Sequence, residues 1–315
     1  MIEEIFASVS PGETRVACME GGRAVELHRF LHGRSTSVGN IYLGRVTRMV
    51  PGLGAAFVEI GGAKAGFLPL RDGGLSAKPL HEGARVIVQI TREGERGKGP
   101  QLSTAIRIPG YLLVFAPNGG GIHVARRIGH EAQSERLAAA IAVIARPEEG
   151  WIARTNAADA GAEALAREAD MLRTEWSAIV AASSRASPPA ILYSEPSPIG
   201  RVLRDKAGKD LRRVVVDDAG AYTAAQSFLR DYLPQLQRTL ARHTGSLALF
   251  EQEGIEPEFE ALPHRRVPLP SGGTVIIERT EALWAIDVNT GRNVSGSSAE
   301  ATILATNIEA DRKST

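Results

Sequence analysis

Residues 38–104 break into short runs rich in β-branched and apolar side chains, interrupted at Pro51-Gly52, Gly61-Gly62 and Gly73-Gly74. A helix does not survive such punctuation, because proline removes a backbone donor and glycine raises the entropy lost on folding. Short strands closed by tight turns remain, and their number and order predict a small five-stranded barrel. Upstream, residues 1–37 hold strands over 14–19 and 24–30 around the turn Glu20-Gly21-Gly22. A lone hairpin is marginal in water, so these strands must pair with something further along, and a discontinuous domain is expected.

After the barrel the pattern changes. A linker rich in proline and glycine, with Pro109-Gly110 and Asn118-Gly119-Gly120-Gly121, brackets a strand over 111–115. A helix over 133–145, a strand over 150–154 and a longer amphipathic helix over about 160–182 follow, the last with no evident chemistry. Residues 183–198, rich in proline and serine, read as a boundary. Beyond it come a helix over 199–211, a strand over 213–217 and a helix over 221–238, which together suggest an α/β unit. The basic run Arg201, Arg204, Lys206, Lys209, Arg212, Arg213 is interleaved with Asp205 and Asp210 and reads as a solvated helix face. Asp217 and Asp218 read as a surface turn.

With 315 residues, 43% hydrophobic and 23% charged, the chain can build two or more cores. Its 37 basic and 36 acidic residues leave a net charge of +1, so affinity for nucleic acid must come from local patches. The one cysteine, Cys18, excludes a disulfide framework and leads us to expect no zinc site. No segment resembles a signal peptide or a membrane span, and a cytoplasmic protein with no membrane partner is expected. Only 5% of residues are aromatic, so any base-stacking platform must rest on very few of them.

Residues 269–292 read as a hairpin with strands over 274–278 and 283–288. Asp287 falls inside the second, flanked by Ile286 and Val288. Such a carboxylate needs a partner, a turn or a metal. Alternation can turn it to solvent, or it can cap a following turn through Asn289 and Gly291. Alternatively Asp287 and Asn289, two apart on a strand, face one way and offer oxygens to Mg²⁺.

The run EALWAIDVNTGR, preceded by LPSGG, closely resembles the signature of the ribonuclease E/G family of bacterial endoribonucleases. Asn40, Gly44, Val46 and the runs AAFVEIG and GFLPL likewise resemble an S1-type OB fold. The resemblance implies a multidomain α/β plus β-barrel protein. Residues 1–37 and 199–262 would form a ribonuclease-H-like domain with an S1-type OB fold, 38–104, inserted in it. Residues 105–198 would form a 5′-sensor α/β region, and 263–315 a partial DNase-I-like nuclease domain.

The same resemblance implies that Asp287 binds catalytic Mg²⁺ with Asn289 beside it, and that Phe57, Phe67 and Lys98 touch single-stranded RNA. It makes Arg154 and Thr155, with Val114 packing beside them, the pocket for a 5′-monophosphate. The likeness runs to about Glu309; the family's second metal-binding Asp, its second sensor arginine and its zinc-link cysteines lie in segments not matched here. A C-terminally truncated member is therefore expected, with a weak or incomplete Mg²⁺ site that Glu300 or Glu309 would complete poorly, and a monomer or weak dimer as its state. Three functions stay open: an endoribonuclease of ribosomal-RNA processing and mRNA decay, a non-catalytic single-stranded RNA-binding protein, and a fragment of a longer enzyme.

Overall fold

The computed structural model describes all residues except 33–36, 71–79, 95–96, 263, 281–282, 294–297 and 315. The expected Gly73-Gly74 turn lies outside the described residues. The chain divides into two compact units, Met1–Thr244 and Gly245–Thr315. The sequence had suggested a break at 262/263.

The first unit opens with an antiparallel ribbon, β1 (Glu4–Ser10), β2 (Glu13–Glu20) and β3 (Arg23–Leu31). The sequence pattern does not reveal β1. Its Ile5, Phe6 and Ala7 are all buried, because a central strand covered on both faces loses the apolar-polar alternation that marks a half-buried one.

Five strands then close a barrel: β4 (Ile41–Val50), β5 (Ala55–Glu59), β6 (Gly66–Pro69), β7 (Arg85–Arg92) and β8 (Gln101–Ser103). Their order is β4-β5-β6-β8-β7, with β7 pairing back onto β4. Alternate residues fill the interior, among them Val46, Ala56, Val58, Leu68, Val88 and Leu102. A Cβ on Gly44 would stand 2.4 Å from Cγ1 of Val58, so the corner of the closed barrel requires a glycine there.

A four-stranded sheet follows, built from β9 (Ile108–Pro109), β10 (Leu113–Ala116), β11 (Gly121–Val124) and, after helix α1 (Glu131–Ile144), β12 (Gly150–Ala153). The order is β11-β12-β10-β9. Helix α2 (Ala162–Arg185) comes next. Leu113, Phe115, Trp151 and Ala153 join Leu137 and Ile141 of α1 and Leu165 and Leu172 of α2 in one core. Trp151, fully buried, stacks on Phe115 with ring centroids 4.5 Å apart and donates its indole N–H to Glu149 at 3.2 Å.

The proline- and serine-rich stretch is more than a boundary. It carries β13 (Ala190–Tyr193), which pairs antiparallel with β4 and so adds a sixth strand to the barrel sheet. Then come α3 (Pro198–Lys206), β14 (Arg213–Val216), α4 (Ala219–Tyr232) and β15 (Leu240–Arg242). Strand β14 runs parallel to β1 and to β15, giving a five-stranded sheet of order β15-β14-β1-β2-β3. Helix α4 stops short of the expected 238 because Pro234 disfavours helical backbone at Leu233; a 3₁₀ turn over Pro234–Thr239 takes its place. Asp217 and Asp218 do more than turn the chain. Asp218 caps α4 by accepting from the Ala221 amide at 2.8 Å, and Asp217 accepts from the Val9 amide at 2.9 Å.

The second unit contains α5 (Leu249–Gln252), α6 (Glu256–Ala261), the antiparallel strands β16 (Arg266–Pro268), β17 (Thr274–Arg279) and β18 (Trp284–Asn289), and α7 (Ala299–Ser314). Phe250 of α5 and Phe259 of α6 stack at 5.1 Å. Among the described residues, no helix is long and apolar enough to cross a membrane.

Trp151→Ala should lower the stability of the first unit by about 3–5 kcal/mol, as deletion of a fully buried aromatic does. Urea unfolding followed by near-UV circular dichroism reads this directly, and a loss below about 1 kcal/mol would mean that α1 and α2 close over the void.

Candidate functional site

The barrel's pleat decides where its phenylalanines go. Ala56 and Val58 point inward, so Phe57 between them points out, and Phe67 on β6 does the same beside buried Leu68. They are register partners, half-buried, with ring centroids 5.9 Å apart in an edge-to-face pair. Neither belongs to the barrel core. Arg48 pairs with Phe57 across β4 and β5 and is exposed, so the pair has a cation on its flank.

Lys98 is exposed, three residues before Gln101, the partner of Phe67 across β6 and β8. Its loop is held close to the barrel. The Phe67 amide donates to Pro100 at 2.8 Å, and a Cβ on Gly99 would sit 1.9 Å from the Ala65 carbonyl oxygen. Lys64, which the sequence reading passed over, donates to the carbonyl of Gly97 in the same loop. Aromatic faces beside lysines and arginines are the surface on which single strands stack.

Arg154 follows directly on β12. Its amide donates to Leu112 at 2.8 Å, and its guanidinium donates to the Gly110 carbonyl at 2.5 Å and to Asp205 at 2.5 Å. Two of the five guanidinium donors are thus used, leaving three for an anion. Thr155 is exposed at the start of a 3₁₀ turn, and Val114, half-buried, sits opposite Ile152 on β10. The structure therefore brings Arg154, Thr155 and Val114 to one end of the four-stranded sheet.

Asp205 is itself shared. Arg204 bonds it at 3.2 Å and reaches Glu195 at 2.7 Å. Burial would raise the Asp205 carboxyl, but Arg204 and Arg154 outweigh it and hold the group below the usual carboxylate range. The basic run is thus only partly a solvated helix face. Arg204 is buried, at 8% exposure.

Glu168 was overlooked as chemistry. It sits on α2 at 5% exposure and accepts from the amides of Leu112 at 2.7 Å and Leu113 at 2.9 Å. A Cβ on Gly110 would come within 2.3 Å of its carboxylate oxygen, which is why the linker has glycine there. Burial pushes Glu168 up to about 7, against the two amide bonds and the charge of Arg154, which pull it down. The signal was present in the sequence: Glu168 occupies the apolar stripe of α2, three residues after Leu165 and four before Leu172.

In the second unit Asp287 and Asn289 lie on β18, exposed, with the Asn289 amide donating to the Asp287 carboxylate at 2.9 Å. The motif around them is built by close contact. A Cβ on Gly273 would meet the Asn289 carbonyl at 2.8 Å and Thr306 of α7 at 2.9 Å, and one on Gly291 would meet the Gly272 carbonyl at 2.5 Å. Asn293 donates to Thr306 in the buried interior at 2.9 Å. Glu309 is not on the solvent side. It is half-buried and accepts from the Ser271 amide and hydroxyl, so it serves the LPSGG loop, whereas Glu300 is exposed. Among the described residues, no three His, Cys, Asp or Glu side chains are grouped to hold a metal ion. The chemistry of Asp287 and Asn289 fits a hard cation, since Mg²⁺ takes one or two carboxylates and fills its remaining positions with water.

Comparison with known proteins gives a consistent answer. The model of the ribonuclease E/G family matches residues 107–314. The chain is 36% identical to ribonuclease G of Escherichia coli (strain K12) over 98% of its own length and 67% of that protein's. It is 34% identical to ribonuclease G of Haemophilus influenzae over 98% of its length and 66% of that protein's. Ribonuclease E of E. coli (strain K12) is 35% identical over 95% of this chain and 30% of its own length.

A raised carboxyl pKa means that the folded state holds a proton the unfolded chain has released. The stabilisation from Glu168 is therefore complete below about pH 4.5 and lost as pH rises through about 7. Glu168→Gln should remove a pH-dependent component on the order of 3 kcal/mol from that window, the shift of about two and a half pK units converted at 1.36 kcal/mol each. Thermal melts of both proteins between pH 4.5 and 8 would show it as a loss of stability with rising pH in the parent that the variant lacks; parallel curves would mean that Glu168 is ionised throughout.

Proposed function

The chain belongs to the ribonuclease E/G family, and from that premise we propose that it acts as an endoribonuclease on single-stranded RNA, with Mg²⁺ held at Asp287. The observation that carries this reading is the Asn289–Asp287 hydrogen bond of 2.9 Å within the matched family motif. An exposed aspartate on a strand is free to rotate. One bonded to a neighbouring amide two residues on presents its second oxygen in one direction, and the asparagine carbonyl oxygen stays available beside it. When bound, Mg²⁺ supplies a Lewis acid and an acidified water for attack on a phosphodiester. The residues of this chain position it: Asp287 by charge, Asn289 by fixing the carboxylate, and the glycines by letting the two loops approach.

The substrate would be gripped elsewhere. Phe57 and Phe67 offer ring faces to unpaired bases, and Lys98 offers its ammonium to the backbone. Arg154 and Thr155 would read a 5′-monophosphate, the guanidinium through the donors that Gly110 and Asp205 leave unused. The surrounding sheets and hairpin would be a ribonuclease-H-like domain and part of a DNase-I-like nuclease domain, in a cytoplasmic protein that serves ribosomal-RNA processing or mRNA decay. A second reading, a non-catalytic single-stranded RNA-binding protein, is favoured by one observation: the paired rings of Phe57 and Phe67 with Arg48 on their flank form a surface that needs no metal to hold a strand.

Cleavage of a 5′-monophosphorylated single-stranded RNA with Mg²⁺ present decides between the two. Cleavage that Asp287→Asn abolishes supports the enzyme; tight binding with no cleavage in the unaltered chain supports the binding protein. Phe57→Ala should weaken binding by about 1–3 kcal/mol if the ring stacks on a base. Arg154→Ala should erase any preference for a 5′-monophosphate over a 5′-hydroxyl, measured by competition.

A further inference from the structure

Within the first unit a cleft of about 650 Å³ lies between barrel strands β7 and β8 and the four-stranded sheet. That volume is in the range of about 300–1,000 Å³ typical of ligand sites. Its wall carries Arg92, Arg107, His123, Gln101, Thr91 and Asn118, and among the described residues no aspartate or glutamate lines it. Three arginines that are largely buried elsewhere in the unit are matched by carboxylates: Arg154 by Asp205, Arg204 by Glu195, Arg173 by Glu149. The exposed side chains of Arg92 and Arg107 make no ion pair among the described residues. Gly120, also in the wall, has a left-handed φ of 52°, and a Cβ there would meet open space, so bare backbone faces the solvent.

The barrel connects this cleft to the aromatic pair. Phe57 pairs with Phe67, Phe67 with Gln101, and Gln101 with Arg92, so one row of side chains crosses β5, β6, β8 and β7. Three strand spacings, about 14 Å, separate its ends. We propose that the cleft is a second binding site for single-stranded RNA, continuing the track from Phe57 and Phe67, with the phosphates held by Arg92 and Arg107. The proposal rests on the reading of the barrel face as an RNA surface. A polyanion is the occupant that suits two guanidiniums without an ion pair, hydrogen-bonding amides and no carboxylate among the described lining residues. Bases stacked on the phenylalanines leave the next few phosphates at the mouth of the cleft.

The test uses 5′-hydroxyl oligoribonucleotides without Mg²⁺, so that neither cleavage nor the terminal-phosphate pocket contributes. Oligonucleotides of about two and about twelve residues are compared, the first too short to run from the phenylalanines into the cleft and the second within the range bound by one barrel of this type. Fluorescence anisotropy across a salt series gives the affinity and its salt slope. Arg92→Gln combined with Arg107→Gln should weaken binding of the longer strand about tenfold or more. The slope of log affinity against log salt should flatten by about 1.4, at 0.7 for each lost phosphate contact. The shorter strand should bind as before. Arg92→Lys with Arg107→Lys keeps the charges and should retain the slope, which separates lost phosphate contacts from misfolding. An unchanged slope for the longer strand in the glutamine variant, while Phe57→Ala weakens both strands, would overturn the cleft and leave the barrel face standing. If Phe57→Ala has no effect on either strand, the barrel reading fails and the continuous track falls with it.

Discussion

The first unit depends on a line of polar contacts that crosses it. Asn40, at the start of the barrel, accepts from the Glu195 amide at 2.9 Å. Glu195 pairs with Arg204, Arg204 with Asp205, and Asp205 with Arg154, which closes on the Gly110 carbonyl. At 6% and 9% side-chain exposure, Glu195 and Arg204 are expensive to bury and more expensive to separate, because either one alone would be an uncompensated charge in a poor dielectric. The line therefore tolerates few arrangements. It fixes the barrel against α3, and α3 against the end of the four-stranded sheet where Arg154 emerges.

Glu168 works on the same corner from the other side. It ties α2 to the amides of Leu112 and Leu113, and the turn they belong to presents the Gly110 carbonyl to Arg154. Arg154 is thus oriented by one carboxylate directly and by another through the backbone. The donors it keeps are the ones these partners cannot reach. The proposed sensing role and the scaffold role of this corner would consequently be hard to disentangle by mutation, and a loss of 5′-end preference would be informative only in variants shown to melt like the parent.

How much of this was legible follows from sequence separation. The barrel was readable because its turns carry glycine and proline and because β4 carries Gly44, where Val58 leaves no room for a Cβ. The β17–β18 hairpin was readable because its strands are adjacent. Strand β1 was hidden by its two-sided burial, and β13 by the prolines and serines around it. Glu168 was present in the pattern as a charge in an apolar stripe, yet the helix's amphipathic regularity hid it. Glu195 and Arg204 left no such trace, since nothing local marks a surface-looking arginine as buried. Its partner Glu195 lies on a loop nine residues back, and Glu195 in turn bonds Asn40, 155 positions from itself. For the candidate site the motifs nominated Asp287, Asn289, Phe57 and Phe67 by resemblance, while the pairing of Arg154 with Asp205 and the bond of Lys64 to Gly97 needed coordinates.

Strand β13 and the Asn40–Glu195 contact also bear on how this architecture can be taken apart. A gene fragment encoding 38–104 alone would encode all five strands of the ring. Yet it would leave the 41–43 end of β4 without its outer neighbour and the Asn40 side chain without the amide it accepts. The barrel is contiguous in sequence but not self-sufficient in its edges. Transplanting it into another protein would require bringing 190–195 along as a separate piece, so the recombination events that shuffle autonomous modules would not readily shuffle this one.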